Sequence, residues 1–190
     1  MPKETFYNLN EEKKLKIIAV LKKVFREKSI FEANVKEIVE TLGIARGSFY
    51  QYFENLEDAY FMILDLETKD IHNLFLEILK ENEFDFYKSL KLYGLEIADL
   101  LFESGDYLIY KNKYLYWTAE LENKWKVYKK KESSNSEFNH LSEQMEFTKA
   151  IIHNLIKRTF INDWDRAEFL EHFNIYLNWL KEGVDYNGIR

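Results

Sequence analysis

NVKEIVETLGIARGSFYQYF, residues 34–53, sets two short amphipathic patterns on either side of one glycine. Val35, Ile38, Val39 and Leu42 recur at helical spacing, and Asn34 stands where an N-cap belongs. Gly43 follows the last apolar residue, the position at which helices end in a left-handed residue. A third helix is predicted from about Ala45 to Phe53. Two helices joined by a glycine-containing turn of three or four residues make a helix-turn-helix. Ile38, Val39, Leu42, Ile44, Phe49 and Phe53 can close a miniature core with a preceding helix. Arg46, Ser48, Tyr50, Gln51 and Tyr52 then share the opposite, exposed side. In such modules the second helix enters the major groove, where Arg pairs with guanine and Gln with adenine. Tyrosine hydroxyls can reach phosphates. Gly47 costs helix stability but lets the backbone approach DNA closely. Tyr52 has a second reading, as packing against the following helix.

Working outward, Asn10 caps a first long helix, with Glu11 and Glu12 in its first turn and Ile17, Leu21, Val24 and Phe25 as its stripe. Asn55 opens a fourth helix predicted to run to about Lys80. Phe86, Leu90, Tyr93, Ile97 and Leu101 form another stripe, interrupted at Ser104-Gly105-Asp106. An aromatic stretch runs from Tyr107 to Tyr128. Lys129–Ser136, KKKESSNS, reads as a loop. Stripes at Leu141, Met145, Thr148, Ile152, Leu155 and at Phe169, Phe173, Tyr176, Leu177, Leu180 complete the pattern, before Gly183 and a polar tail.

One proline and six glycines in 190 residues supply too few turns for an all-β fold, which needs them about every 8–12 residues. The absence of cysteine excludes disulfides and thiolate metal sites and suits a reducing compartment. No apolar run approaches the roughly 20 residues that cross a bilayer, and the opening residues carry no signal-like stretch. The expected location is cytoplasmic, with no membrane partner. Net charge is -6 overall, yet residues 1–56 carry ten Lys/Arg against eight Asp/Glu, leaving the excess acid in the remainder. A mildly basic head on an acidic body suits a DNA-reading module attached to a domain that stays off DNA.

The run Gly43-Ile44-Ala45-Arg46-Gly47-Ser48-Phe49-Tyr50-Gln51-Tyr52-Phe53 resembles the DNA-binding domain of the TetR (tetracycline-repressor-like) family, and the likeness covers residues 15–64. It implies an all-α protein of about nine helices. A three-helix DNA-binding domain over 1–54 is followed by a helical ligand-binding and dimerisation domain over 55–190. DNA contacts are expected from Asn34, Lys36, Ala45, Arg46, Gly47, Ser48, Tyr50, Gln51 and Tyr52. The family usually has Ser or Thr at the position of Ala45, Thr near Ala33 or Asn34, and a phosphate-binding lysine at the position of Leu56. These departures remove contacts and place more weight on Arg46, Lys36 and the tyrosines.

The resemblance further implies a homodimer on a palindromic operator in double-stranded DNA, released by a small-molecule effector. Ile152, Leu155, Phe169, Phe173, Tyr176 and Leu180 are then the dimer-interface candidates, against the plainer reading that they fill the chain's own core. Tyr93, Phe102, Tyr107, Tyr110, Tyr114 and Trp117 are pocket candidates for an apolar or aromatic effector; aromatic stripes at helical spacing also serve as plain core. His72, His140, His153 and His172 lack the convergence a metal needs, and no cofactor is implied. No nucleophile–base ordering or phosphate-binding loop appears, so an enzyme is not expected. The alternative is a ligand-independent regulator or interaction module controlled by a protein partner.

Overall fold

The computed structural model describes residues 1–67, 71–132 and 143–182, and among these the structure is entirely helical. Eleven helices follow in order: α1 Glu4–Tyr7, α2 Glu11–Glu27, α3 Val35–Leu42, α4 Arg46–Tyr52, α5 Leu56–Glu67, α6 Ile71–Glu81, α7 Phe86–Phe102, α8 Tyr107–Tyr116, α9 Ala119–Glu132, α10 Glu143–Ile161 and α11 Arg166–Glu182. The all-α fold is as expected, with two more helices than the stripes suggested. His140, Leu141, Gly183, residues 133–136 of the expected loop and the side chain of His72 lie outside the described residues. The KKKE half of that loop is helical, as the end of α9. Strong helix formers without Gly or Pro there simply continue the preceding helix.

Two compact units make up the chain: Met1–Thr68 with Leu108–His140, and Lys69–Tyr107 with Leu141–Arg190. They do not break at the 54/55 boundary read from the sequence.

In the first unit, α2, α3 and α4 enclose Ile17, Leu21, Phe25, Ile38, Phe49 and Phe53, each 2% exposed or less. Asparagine starts α2, α3 and α5. Asn10 Oδ1 accepts from Lys13 N at 2.9 Å, Asn34 Oδ1 from Glu37 N at 3.0 Å and Asn55 Oδ1 from Asp58 N at 2.8 Å. Each satisfies one of the amides that a helix start leaves without an intrahelical partner. α5 lies on this core with Ala59, Ile63 and Leu64 fully buried. Its Phe61 meets Trp117, Trp125 and Tyr128 at ring-centre distances of 6.3, 5.4 and 5.6 Å. Asn112 of α8 donates to the carbonyls of Phe25 and Arg26 at 3.1 and 3.0 Å, closing the C-terminus of α2.

In the second unit α7 packs between α6 and α11, while α10 also packs on α11. Leu90, Ile97, Leu155 and Phe169 are fully buried. α7 and α11 approach closely at Gly94, where a methyl group would lie 2.5–2.8 Å from carbons of the Phe173 ring.

Candidate nucleic-acid interface and regulatory cavity

The turn between α3 and α4 is built locally. Gly43 adopts φ 69° and ψ 34°, a left-handed conformation that costs glycine nothing. The amide of Ile44 then reaches back to Val39 O at 3.1 Å. With Ile38, Leu42, Phe49 and Phe53 pinned in the core, the outer side of α4 is fixed in direction. Ala45, Arg46, Gly47, Tyr50 and Gln51 are exposed and Ser48 is half-buried. Asn34 and Lys36, at the start of α3, are exposed too. The nine DNA-contact candidates thus come from one turn and its two helices, and eight of them retain solvent access.

Tyr52 is the exception and corrects the expectation of an exposed side chain. It is 6% exposed, its ring meets Phe6 edge-on at 6.5 Å, and Lys13 Nζ sits 5.6 Å from its centre. Of its two sequence readings the packing one describes its body, although the partners come from the N-terminal residues and α2.

The departures from the family pattern have local consequences. Ala45 makes no side-chain bond at the start of α4. Leu56 is partly buried against the core, where an apolar side chain gains more than an ammonium would. At Gly47 no atom lies within 4 Å of the place a methyl would take, so nothing within the protein demands glycine there. Around this face the charges are mixed. Lys36 pairs with Glu40 at 3.8 Å across one turn, and Lys28 with Glu37 at 2.6 Å.

A small, partly open cavity lies in the second unit between α6, α7 and α10, with about 30 Å³ of space inside it. Phe75, Leu76, Leu90, Tyr93, Met145 and Ile152 form its apolar walls. Thr148, Lys149 and His153 supply the polar groups along one side of α10. Phe75 and Tyr93 face each other with ring centres 5.1 Å apart. Of the six aromatic candidates, only Tyr93 lines this space. Phe102 and Tyr107 pack on each other and on Phe169 and Phe160 within the same unit. Tyr110, Tyr114 and Trp117 belong to the first unit, where Tyr110 is 1% exposed and Trp117 packs on Phe61. The signal that could have marked the cavity was Lys149 and His153, four residues apart on the side of α10 that also carries Met145 and Ile152.

The dimer candidates also redistribute. Ile152, Leu155, Phe169 and Phe173 are 0–3% exposed within the single chain, so they build the protomer's own core. Tyr176 and Leu180 are half-buried. Tyr176 stacks on Trp179 and accepts a hydrogen bond from Arg158, while the carbonyl of Leu180 accepts from the Tyr87 hydroxyl at 2.9 Å. The stripe that does face outward on α10 is Phe147, Ala150, Asn154, Lys157 and Ile161, spaced three and four residues apart.

Among the described residues no cluster of His, Cys, Asp and Glu is placed to hold a metal ion, and no helix is long and apolar enough to cross a membrane.

A helix-turn-helix with an open polar face, joined in one chain to a helical unit with its own cavity, defines a DNA-binding regulator. Family models agree at both ends of the chain. Residues 17–58 match the bacterial regulatory proteins of the tetR family, and residues 86–183 match the tetracyclin repressor C-terminal domain. The chain belongs to the tetracycline-repressor (TetR) family of DNA-binding transcriptional regulators.

Comparison with curated proteins gives no sequence match. Several solved structures share the fold. NalD, the secondary repressor of the MexAB-OprM multidrug efflux pump in Pseudomonas aeruginosa, is 18% identical with a TM-score of 0.62, over 93% of this chain and 98% of that one. The fatty acid degradation regulator FadR from Bacillus halodurans is 18% identical with a TM-score of 0.60, over 93% and 98%. FadR from Bacillus subtilis, solved with stearoyl-CoA, is 17% identical with a TM-score of 0.59, over 90% and 99%.

Proposed function

We propose that this protein is a homodimeric repressor that binds a palindromic operator and leaves it when a small molecule occupies the cavity between α6, α7 and α10. The observation that carries the reading is the exposed run Arg46, Gly47, Tyr50 and Gln51 on a helix whose other side is locked into the core. Two such helices, related by a two-fold axis, would read successive major grooves about 34–36 Å apart. Asn34, Lys36, Ser48 and the rim of Tyr52 would add backbone contacts. Residues 1–54 thus read DNA and residues 55–190 regulate and dimerise. This division is functional, distinct from the packing units described above. The exposed α10 stripe with Phe147 and Ile161 is the dimer contact that a single chain leaves available.

The effector suited to the cavity has an apolar or aromatic body and a hydrogen-bond-accepting or anionic group turned toward Lys149 and His153. FadR of Bacillus subtilis, which holds stearoyl-CoA, supplies a precedent for an acyl-bearing effector on this fold. Such a ligand weakens DNA binding only by preferring one arrangement of the protein, typically by about 1–3 kcal/mol. The protein works in the cytoplasm and catalyses no reaction.

Selecting duplexes from a randomised pool with the purified full chain tests the DNA reading. A two-fold symmetric consensus, relaxed at one position of each half-site on Arg46→Ala, is the expected result. Recovery of no enriched sequence would overturn it.

A further inference from the structure

The helix assigned to the major groove has little to hold it by itself. α4 is seven residues long, lacks a side-chain bond at its N-cap, carries Gly47 in its first turn and has no basic residue in its last. So short a helix leaves most of its terminal backbone groups without intrahelical partners.

One segment meets its C-terminal carbonyls. Tyr50 O accepts from Lys3 Nζ at 2.8 Å, Gln51 O from the Thr5 hydroxyl, and Tyr52 O from the backbone amide of Lys3 at 2.7 Å. The cation of Lys3 also lies at the negative end of the helix dipole. Beneath these bonds Phe6 is 3% exposed, with its ring centre 5.3 Å from Phe53 and 6.5 Å from Tyr52. Pro2 is buried as well. The contacts all fall on backbone carbonyls or on the inner aromatics. Arg46, Tyr50 and Gln51 keep their outward access.

We infer that residues 2–7 are a strap that positions the recognition helix, with Lys3 and Thr5 holding its last turn and Phe6 as the anchor. This rests on α4 being the DNA-reading helix. Neither Lys3 nor Thr5 touches DNA in this role. They act by keeping the last turn wound, so that Tyr50 and Gln51 present one fixed geometry rather than ordering only when DNA arrives. The strap supplies at the C-terminus what the missing Ser or Thr at Ala45 withholds at the N-terminus.

The test uses the full chain and the duplex that the unchanged protein selects from a random pool. Thr5→Ala and Lys3→Met alter exposed side chains and leave the core intact. Each is expected to weaken duplex binding about 3- to 10-fold, the range of one lost hydrogen bond. In the free protein the amides of Tyr52 and Phe53 should exchange faster, while those of α2 and α7 keep their rates. Thr5→Ser is expected to restore both readouts. Lys3→Met is expected to leave the slope of log affinity against log salt unchanged. Binding within twofold for both variants, with unaltered exchange, would overturn the strap. Uniformly faster exchange throughout α2, α3 and α4 would reduce it to general stability. A slope smaller by about one for Lys3→Met would make Lys3 a phosphate contact instead. Failure of the unchanged protein to select any duplex would sink the DNA reading itself, an outcome distinct from loss in the variants alone.

Discussion

The guanidinium of Arg46 lies 5.9 Å from the centre of the Tyr50 ring and donates to its hydroxyl at 3.4 Å, one helical turn away. The two side chains most able to meet DNA therefore brace each other before DNA is present. Arg46→Ala is expected to cost about 1–3 kcal/mol at one base pair and to relax preference there. Tyr50→Phe removes a hydroxyl and should weaken all duplexes alike. Affinities for the selected operator and for its single-base variants distinguish the two.

Gly47 has open space around its missing methyl, so Gly47→Ala should raise helix stability by roughly 0.8–1 kcal/mol in the free protein. The same methyl would stand between the helix backbone and DNA. Thermal unfolding and duplex affinity should therefore move in opposite directions. A stabilised protein that binds as before would show that the glycine serves no close approach.

Leu56→Lys restores a cation at the family's phosphate-binding position. Its aliphatic stem can keep part of the buried contact while the ammonium reaches solvent. Tighter operator binding and a salt slope steeper by about one are expected. Titration at two or more salt concentrations reads this directly.

Gly94→Ala presses a methyl into the buried Phe173 ring. Overpacking of this kind costs about 1–3 kcal/mol. Pairing it with Phe173→Leu, which removes ring atoms, should recover part of the loss. A calorimetric comparison of the two single variants and the double one measures the coupling.

Lys124 bridges Glu57 at 3.0 Å and Glu120 at 2.9 Å. Partial burial pushes the Glu57 carboxyl upward, but the bond from Lys124, a backbone hydrogen bond and the Lys124 charge together outweigh it and hold the group below the usual carboxylate range. Lys124 is raised, through its bonds to Glu120 and Glu57. A depressed carboxyl contributes stability above its unfolded value of about 4.3, lost as pH falls through the folded one. The raised ammonium contributes below about 10.4, lost at still higher pH. Glu57→Gln should thus lower the Tm near neutral pH and converge with the unchanged protein in acid. A constant Tm difference across the acid range would contradict this.

Sequence periodicity carried the local features well. The caps at Asn10, Asn34 and Asn55 and the left-handed Gly43 each depend on neighbours within four residues, and all four stand where they were expected. Partnerships between distant segments were not legible. Tyr52 looked outward because its partner Phe6 lies far back in the chain, in a stretch too short to show a helical period. Ile152, Leu155, Phe169 and Phe173 looked like an interface because a helix facing its own core and one facing a second copy bear the same stripe. The aromatic run after Tyr107 could not reveal that Trp117, Trp125 and Tyr128 gather around Phe61. For the cavity, an apolar wall and three polar side chains on α10 resemble ordinary amphipathicity until α6 and α7 are in place.

Chain order matters to anyone wishing to reuse the DNA-reading head. Its core is completed by Ile109, Leu121 and Tyr128, which arrive only after the excursion of residues 69–107. A transplant ending at residue 68 would leave Phe61 and its neighbours bare. A chimera that exchanges effector specificity has to be spliced as two interleaved pieces, with the junctions set by both units. The head is not a portable cassette.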